Sequence, residues 1–206
     1  MPTRLILATQ NEHKVREIRE LLADLDVEVT HPGELDDAPE LAETGETFAE
    51  NARQKALACA QATGELCLAD DSGLMVDALG GEPGVRSARY AGEGASQEDL
   101  IGKLLGELAG VAMPERTARF VCALSLCGPE GEIGRWEGRV EGAITREPRG
   151  TRGFGYDPVF YHPPAGKTFA EMTPEAKNAV SHRGRALQRF GADLPAILRG
   201  REHRRI

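Results

Sequence analysis

The sequence predicts an α/β protein built around a mixed β-sheet. Short apolar runs rich in β-type residues are interspersed with longer stretches whose apolar residues recur at helical spacing. Helical stretches do not follow every strand, as they would in a strictly alternating parallel fold. The chain has 206 residues, 40% of them hydrophobic, which is enough for one substantial core or for one domain with two lobes.

Hydrophobic periodicity and capping residues place the elements along the chain. Continuous apolar runs predict strands, and apolar residues three and four apart predict helices. Thr47 and Glu50, for example, have the spacing of a capping box. The predicted strands cover residues 4–8, 66–69, 119–127, 133–145 and 153–161, and the predicted helices begin near Asn11, Thr47, Ser96 and Ser181. We expect a glycine-rich loop at 80–94, and we expect the basic end, 199–206, to fray.

The charge balance argues against a general nucleic-acid-binding protein. The formal net charge is -8, whereas such proteins are normally basic. A local cluster of Lys and Arg could still bind the phosphates of a single nucleotide. No apolar stretch approaches the roughly 20 residues of a membrane span, and the N-terminus lacks the layout of a signal peptide. We therefore expect a cytoplasmic protein without a membrane or nucleic-acid partner.

The cysteines and histidines do not suggest a metal centre. The four cysteines form no C-x-x-C pair and lie in apolar runs, and the five histidines show no H-x-x-x-H spacing. We expect four reduced thiols in the core and no zinc site.

The segment TQNEHK, residues 9–14, follows the first strand and opens the first helix. Free N–H groups and the helix dipole attract anions at such a position, and Lys14 can reach the same anion. Thr9, Asn11 and Lys14 are therefore candidate phosphate ligands. The alternative is that Asn11 only caps the helix and that Lys14 is solvated.

The segment ETGETFAENARQK places Glu43 before the second helix and Lys55 on it. Lys55 adds a cation for phosphates, and Glu43 adds an acid for a metal ion. The alternative is an ordinary capped helix whose charges lie on the surface.

Two adjacent acids, Asp70 and Asp71, follow the apolar run at 66–69 and are predicted to stand where that strand stops. Carboxylate oxygens suit Mg²⁺, which usually takes one or two carboxylates together with waters and phosphate oxygens. Such a cation would relieve their repulsion, and one acid could hold it while the other deprotonates a water. The alternative is a solvated acidic turn.

The segment GFGYDPVF and the downstream SHR could recognise a base. Phe154 or Tyr156 could stack on the base, and Asp157, His182 and Arg183 could read its polar edge. The alternative is a glycine-bounded strand with aromatic core residues. Together, the four stretches suggest one site with cations for phosphates, acids for a metal ion and an aromatic ring for a base.

The same stretches, in the same order, resemble the inosine/xanthosine triphosphate pyrophosphatase family, which removes noncanonical purine nucleoside triphosphates. The family pieces are T-G-N-x-x-K, E-T-G-x-T-F-x-E-N-A-x-x-K, A-D-D-S-G-L, P-G-V-x-S-A-R-Y-A-G, G-F-G-Y-D-P-x-F and S-H-R. They correspond to residues 9–14, 43–55, 69–74, 83–92, 153–160 and 181–183. One residue departs from the pattern, since Gln10 stands where the family has Gly. Gln10 would be strained if that turn needs a positive φ, or it could instead add a contact to phosphate.

The resemblance implies an elongated mixed β-sheet with two α/β lobes around a central cleft, formed by one domain over residues 1–206. It also implies a homodimer, Mg²⁺ as cofactor, and hydrolysis of a nucleoside triphosphate between its α and β phosphates. Asp71 is the implied general base, and Glu43, Asp70 and Asp71 are the implied Mg²⁺ ligands. The implied substrate-binding residues are Thr9, Gln10, Asn11, Lys14, Lys55, Ser72, Phe154, Gly155, Tyr156, Asp157, Lys177, His182 and Arg183.

Two other functions stay open at this point. One is a pyrophosphatase of the septum-formation type, acting on modified pyrimidine or standard nucleotides. The other is a nucleotide-binding module that has lost catalysis. The G-F-G-Y-D-P and S-H-R pieces favour the purine family over the first, and the presence of both acids, Glu43 and both lysines argues against the second.

Overall fold

The computed structural model describes residues 3–25, 27–34 and 41–202. The strands within them are β1 (Thr3–Leu7), β2 (Val27–Thr30), β3 (Leu66–Val76), β4 (Thr117–Gly128), β5 (Gly131–Ile144), β6 (Phe160–His162) and β7 (Lys167–Thr168). They form a seven-stranded sheet in the order β2-β1-β3-β4-β5-β6-β7. β1 runs parallel to β2 and β3, whereas β6 is antiparallel to both β5 and β7. This arrangement confirms the predicted α/β fold class with a mixed sheet.

Four of the five α-helices in the described residues begin where the sequence places their caps. The five are α1 (Glu12–Leu22), α2 (Phe48–Thr63), α3 (Gln97–Glu107), α4 (Pro174–Val180) and α5 (His182–Glu202), of which α4 was not predicted. Asn11 caps α1, Thr47 and Glu50 form the predicted capping box of α2, and Ser96 caps α3. The last helix extends to Glu202, into the segment expected to fray, and residues 203–206 lie outside the described chain.

Two strand boundaries were predicted wrongly. β3 does not stop at the acidic pair but continues to Val76, because partners described below compensate the buried charges. The predicted strand at 153–161 is instead a series of turns up to residue 159, and β6 begins at Phe160. Gly153 and Gly155 both have positive φ values, 76° and 60°, which a β-strand does not accommodate.

The packing divides the chain into two compact units. Unit 1 comprises Met1–Asp71, Cys122–Gly138 and Gly184–Ile206, and unit 2 comprises Ser72–Val121 and Arg139–Arg183. The prediction of one domain over the whole chain remains a prediction.

Unit 1 buries apolar side chains on both faces of its part of the sheet. Side chains alternate along a strand, so neighbouring residues of β1 and β3 belong to different clusters. One cluster joins Leu5, Leu7, Leu66 and Leu68 to residues of α1 and α5, including Val15, Ile18, Leu187 and Phe190. The other joins Ile6, Ala8, Cys67 and Ala69 to Ala56, Cys59 and Ala60 of α2. The helices α1 and α2 are thereby fixed against opposite faces of β3.

Unit 2 has a core of aromatic and aliphatic side chains. The rings of Phe120, Phe160 and Phe169 contact one another, with centroids 4.6 Å (Phe120–Phe160), 5.9 Å (Phe120–Phe169) and 4.9 Å (Phe160–Phe169) apart. Leu100, Ile101 and Leu104 of α3 complete this core. All four cysteines of the chain are buried thiols, as predicted. Within the described residues, no helix has the length and apolar character that crossing a membrane requires.

Candidate active site

The acidic pair lies in the middle of β3 rather than at its end. Asp70 and Asp71 are both buried, with 1% and 5% of their surfaces exposed. Neighbouring residues of a strand point to opposite faces of the sheet. The contacts of the two aspartates agree with this alternation, since Asp70 contacts α1 and β4 whereas Asp71 contacts α2. The two carboxylates therefore have separate surroundings.

Asp70 is the partner of Lys14. The Lys14 ammonium forms an ion pair with Asp70 Oδ1, and the Cys122 thiol donates a hydrogen bond to Asp70 Oδ2 at 2.9 Å. Lys14 stands in the first turn of α1, where Asn11 Oδ1 accepts the backbone N–H groups of His13 and Lys14 at 3.0 and 3.2 Å. Thr9 Oγ1 in turn accepts the N–H of Asn11 at 3.2 Å. The first-turn motif thus holds its lysine against a buried carboxylate.

Asp71 is held by two residues of α2. Asn51 Nδ2 donates to Asp71 Oδ2 at 3.1 Å, and Lys55 Nζ lies 3.2 Å from Asp71 Oδ1. Lys55 Nζ also contacts Glu43 Oε1 at 2.7 Å and the carbonyl oxygen of Asp70 at 2.9 Å. Lys55 is only 4% exposed. One buried ammonium therefore joins Glu43 and Asp71, two of the three carboxylates that the family resemblance implies as Mg²⁺ ligands.

These contacts set the protonation of the cluster. Burial, reinforced by the nearby carboxylates of Glu43 and Asp70, raises the pKa of the Asp71 carboxyl more than the two lysines lower it. Burial lowers the pKa of Lys55, but the carboxylates of Asp71 and Glu43 outweigh it and leave the pKa above its usual value. Lys55 is thus a cation, and Asp71 is a more basic carboxylate than usual, as a general base requires.

The donor set of this cluster fits a hard divalent cation. Glu43 Oε1 and Asp71 Oδ1 both contact Lys55 Nζ, so two carboxylates converge on one positive charge. Mg²⁺ prefers such oxygen donors. Among residues 3–25, 27–34 and 41–202, no group of three or more His, Cys, Asp or Glu side chains is arranged to hold a metal ion. A bound Mg²⁺ would therefore need phosphate or water oxygens to complete its coordination. Asp70 stands apart from the other two acids, since Lys14 and Cys122 engage its carboxylate.

Unit 2 contains a second polar cluster, centred on a buried ion pair. Asp157 Oδ2 accepts a hydrogen bond from the Phe154 N–H at 2.9 Å and another from Lys177 Nζ at 2.7 Å. The Asp157 carboxylate lies directly against Gly153, where any Cβ would collide with it. Asp157 and Lys177 are both buried. The glycine-rich turn and the lysine of α4 are thereby tied to one carboxylate.

Cations and an aromatic ring lie together in this second cluster. Lys177 Nζ lies 4.9 Å and Arg183 Cζ lies 5.7 Å from the ring centroid of Phe154, which is half-buried. Arg183 also donates to Ser72 Oγ at 3.4 Å. This group can offer a planar, hydrogen-bonding ligand both a ring face and several donors.

His182 belongs to the same unit and is buried. Its ring stacks on Phe120, with centroids 4.7 Å apart and planes inclined by 12°. Tyr156 is also buried, and its hydroxyl donates to the carbonyl oxygen of Ser87 at 2.9 Å. Contacts of Tyr156 and Gly155 with a substrate remain predictions.

Gln10 does not carry the strain that a positive φ would impose. Of the residues that the structure describes, none other than glycine has a positive φ. The turn therefore accepts Gln10 in an ordinary backbone conformation, and its side chain is exposed.

Two residues of the cluster around Asp70 and Asp71 were not predicted from the sequence as part of a site. Asn51 lies in the E-N-A part of the family piece at residues 43–55, but no role was predicted for it. Cys122 was read only as a core thiol. The signal for Asn51 was its position in the sequence, because it is a polar residue on the apolar face of the predicted helix and lies one turn before Lys55.

Comparison with known proteins agrees with these motifs. The model of the Ham1 family matches residues 5–193. The chain is 51% identical to the dITP/XTP pyrophosphatase of Geobacillus kaustophilus, covering 96% of this chain and 97% of that protein. It is 53% identical to the dITP/XTP pyrophosphatase of Geobacter sulfurreducens, covering 90% and 93%. Among solved structures, a HAM1 protein from Coxiella burnetii is similar with a TM-score of 0.86 and 43% identity, covering 94% of this chain and 99% of that one.

Proposed function

Because the chain belongs to the Ham1 family, we propose that it hydrolyses noncanonical purine nucleoside triphosphates, such as dITP, ITP and XTP, to the monophosphate and pyrophosphate. Relatives named dITP/XTP pyrophosphatase share about half of its residues over nearly the whole chain. The observation that carries the proposal is the buried Asp71 carboxylate, held by Lys55 and Asn51 beside Glu43. Such hydrolysis would clear these nucleotides from the pool before they enter DNA or RNA.

Residues of unit 1 account for the chemical step. Asp71 takes a proton from a water whose oxygen bonds to phosphorus, while the anhydride bond between the α and β phosphates breaks and pyrophosphate leaves. Lys14 and Lys55, with Thr9, Gln10 and Asn11 at the start of α1, hold phosphate oxygens and stabilise the charge that develops on them. Mg²⁺ held by Glu43 and Asp71, with Asp70 as a further predicted ligand, would supply positive charge against the triphosphate.

Residues of unit 2 account for base recognition. Phe154 stacks on the purine, Ser72 and Gly155 contact the substrate, and the edge of the base faces side chains that donate hydrogen bonds. These donors are Lys177, His182 and Arg183. Asp157 and Tyr156 lie in the glycine-rich turn that follows Phe154. Hypoxanthine and xanthine carry a keto oxygen at C6 that accepts such a bond, whereas adenine presents an amino donor. A donor left unpaired costs about 1–3 kcal/mol, or roughly 10- to 100-fold in rate.

The assignment of these residues to one substrate is an expectation from the family resemblance and from the order of the motifs along the chain. The homodimer, the cytoplasmic location and the single domain over 1–206 belong to the same proposal as expectations from the family resemblance. Light scattering of the purified protein would check the dimer.

A substrate panel tests the proposed function. Pyrophosphate release is measured with Mg²⁺ from ITP, dITP, XTP, GTP, ATP, dTTP and UTP, with Asp71→Asn protein as the control for contaminating enzymes. We expect kcat/KM for the first three to exceed that for ATP by about 10-fold or more. Preferred turnover of dTTP or UTP would favour the septum-formation type of enzyme. Binding of ITP without turnover of any nucleotide would favour a non-catalytic module.

A further inference from the structure

Asn51 connects the acidic cluster to the loop that precedes α2. Its side chain is completely buried. Its Oδ1 accepts the N–H of Gly45 at 2.7 Å, and its Nδ2 donates to Asp71 Oδ2 at 3.1 Å. An N–H group needs an acceptor, so the bond from Gly45 fixes which end of the amide is oxygen. The nitrogen must then face Asp71.

The close approach of the loop to Asn51 depends on glycine. A Cβ at residue 45 would lie 2.9 Å from Asn51 Oδ1 and 2.7 Å from Glu50 Cβ, which is closer than real side chains pack. Glu43 stands two residues earlier on the same loop and contacts Lys55. One amide therefore orients Asp71 directly and anchors the loop that carries Glu43.

From this geometry, we propose that Asn51 is a positioning residue that holds the Asp71 carboxylate in the orientation its role as general base requires. The inference rests on the proposed function. Lys55 contacts Asp71 Oδ1, whereas Asn51 fixes Oδ2 with a neutral donor. A neutral donor suits this position because a further carboxylate here would add to the negative charge of Glu43, Asp70 and Asp71.

Variants of Asn51 separate the contact with Asp71 from the contact with the loop. Asn51→Asp keeps an acceptor for the Gly45 N–H but replaces the donor to Asp71 with an oxygen, and Asn51→Ala removes both contacts without adding charge. Gln54→Ala is the matched control, because Gln54 lies on the same helix and its Oε1 accepts from Thr44 N and Oγ1 at 3.3 and 3.2 Å. Gln54→Ala therefore loosens the same loop at Thr44, the residue before Gly45.

The expected result is a loss of kcat with little change in KM. A misplaced catalytic group costs about 100-fold in rate, so kcat for ITP should fall by about that factor in both Asn51 variants, with KM within about threefold of wild type. Gln54→Ala should stay within about twofold in kcat. A folded Asn51→Asp protein with wild-type kcat would overturn the inference, and so would equal losses in Asn51→Ala and Gln54→Ala. If Asn51→Asp does not unfold cooperatively in urea, the uncharged Asn51→Ala decides.

Inactivity of the wild type on ITP would count against the proposed function rather than against the positioning role. Crystal structures of wild-type protein and Asn51→Ala, both without ligand, test that role independently of substrate. The inference predicts that the Asp71 carboxylate rotates out of its wild-type orientation in the variant. An unchanged Asp71 would contradict it.

Discussion

Asp70 and Asp71 are adjacent in β3, yet each carboxylate is paired with a different lysine. Lys14 of α1 holds Asp70, and Lys55 of α2 holds Asp71. The alternation of side chains along the strand separates the two acids, so each carboxylate forms an ion pair with its own lysine. Asp71, beside Glu43 and with a raised pKa, is the acid to which the proposed function assigns proton transfer.

Asp71→Asn should lose most of the turnover number while retaining substrate binding. The amide keeps the shape of the side chain but cannot accept a proton from water. We expect kcat for ITP to fall by about 100-fold or more, with KM within about threefold of wild type. Asp77→Asn is the control. Asp77 directly follows β3, is exposed, and accepts hydrogen bonds from Thr117 and Arg119. Normal turnover by the Asp71→Asn protein would remove Asp71 from the base role.

Lys55→Met should destabilise the protein strongly. The substitution leaves the carboxylates of Glu43 and Asp71 without the ammonium that neutralises them, and breaking a buried ion pair costs about 3–5 kcal/mol. Lys103→Met is the matched control, because Lys103 is exposed and its substitution should cost at most about 1 kcal/mol. Urea unfolding at neutral pH measures both, and equal small losses would show that the buried cluster does not depend on Lys55.

The stability of the wild type relative to Asp71→Asn should rise as the pH falls. Burial raises the pKa of the Asp71 carboxyl in the folded protein. A carboxyl with a raised pKa weakens the folded state above that pKa, and this penalty disappears as the pH falls through the raised value. Urea unfolding without divalent cations, from neutral pH into the acid range, checks this. A relative stability that falls with falling pH would show that the pKa of Asp71 is lowered instead.

Phe154→Ala should weaken substrate binding more than it slows the chemical step. Stacking of a base on an aromatic ring contributes about 1–3 kcal/mol, so KM for ITP should rise by about 10- to 100-fold. Phe154→Tyr keeps the ring and should stay within about threefold of wild-type KM. Initial-rate measurements on both variants test this, and an unchanged KM in Phe154→Ala would place the base elsewhere.

Much of the fold could be predicted because its signals are local. Asn11, Thr47 and Ser96 cap helices where the sequence places them, and the long strands β4 and β5 lie close to their predicted ranges. The four-residue strand β2 was missed, since so short a segment has little periodicity of its own.

The site was harder to predict where long-range contacts decide it. The continuation of β3 through the acidic pair depends on lysines 56 and 16 residues away in the chain, which no local pattern reveals. The bond from Asn51 to Asp71 likewise joins residues 20 positions apart. Motif order identified the residues with chemistry, but not which of them hold others in place.

The most direct test of the central claim is phosphorus NMR of purified protein incubated with ITP and Mg²⁺. The proposed function predicts IMP and pyrophosphate as the only products, with little product from ATP or GTP in parallel incubations. Formation of IDP and phosphate would place the attack at the γ phosphate and contradict it.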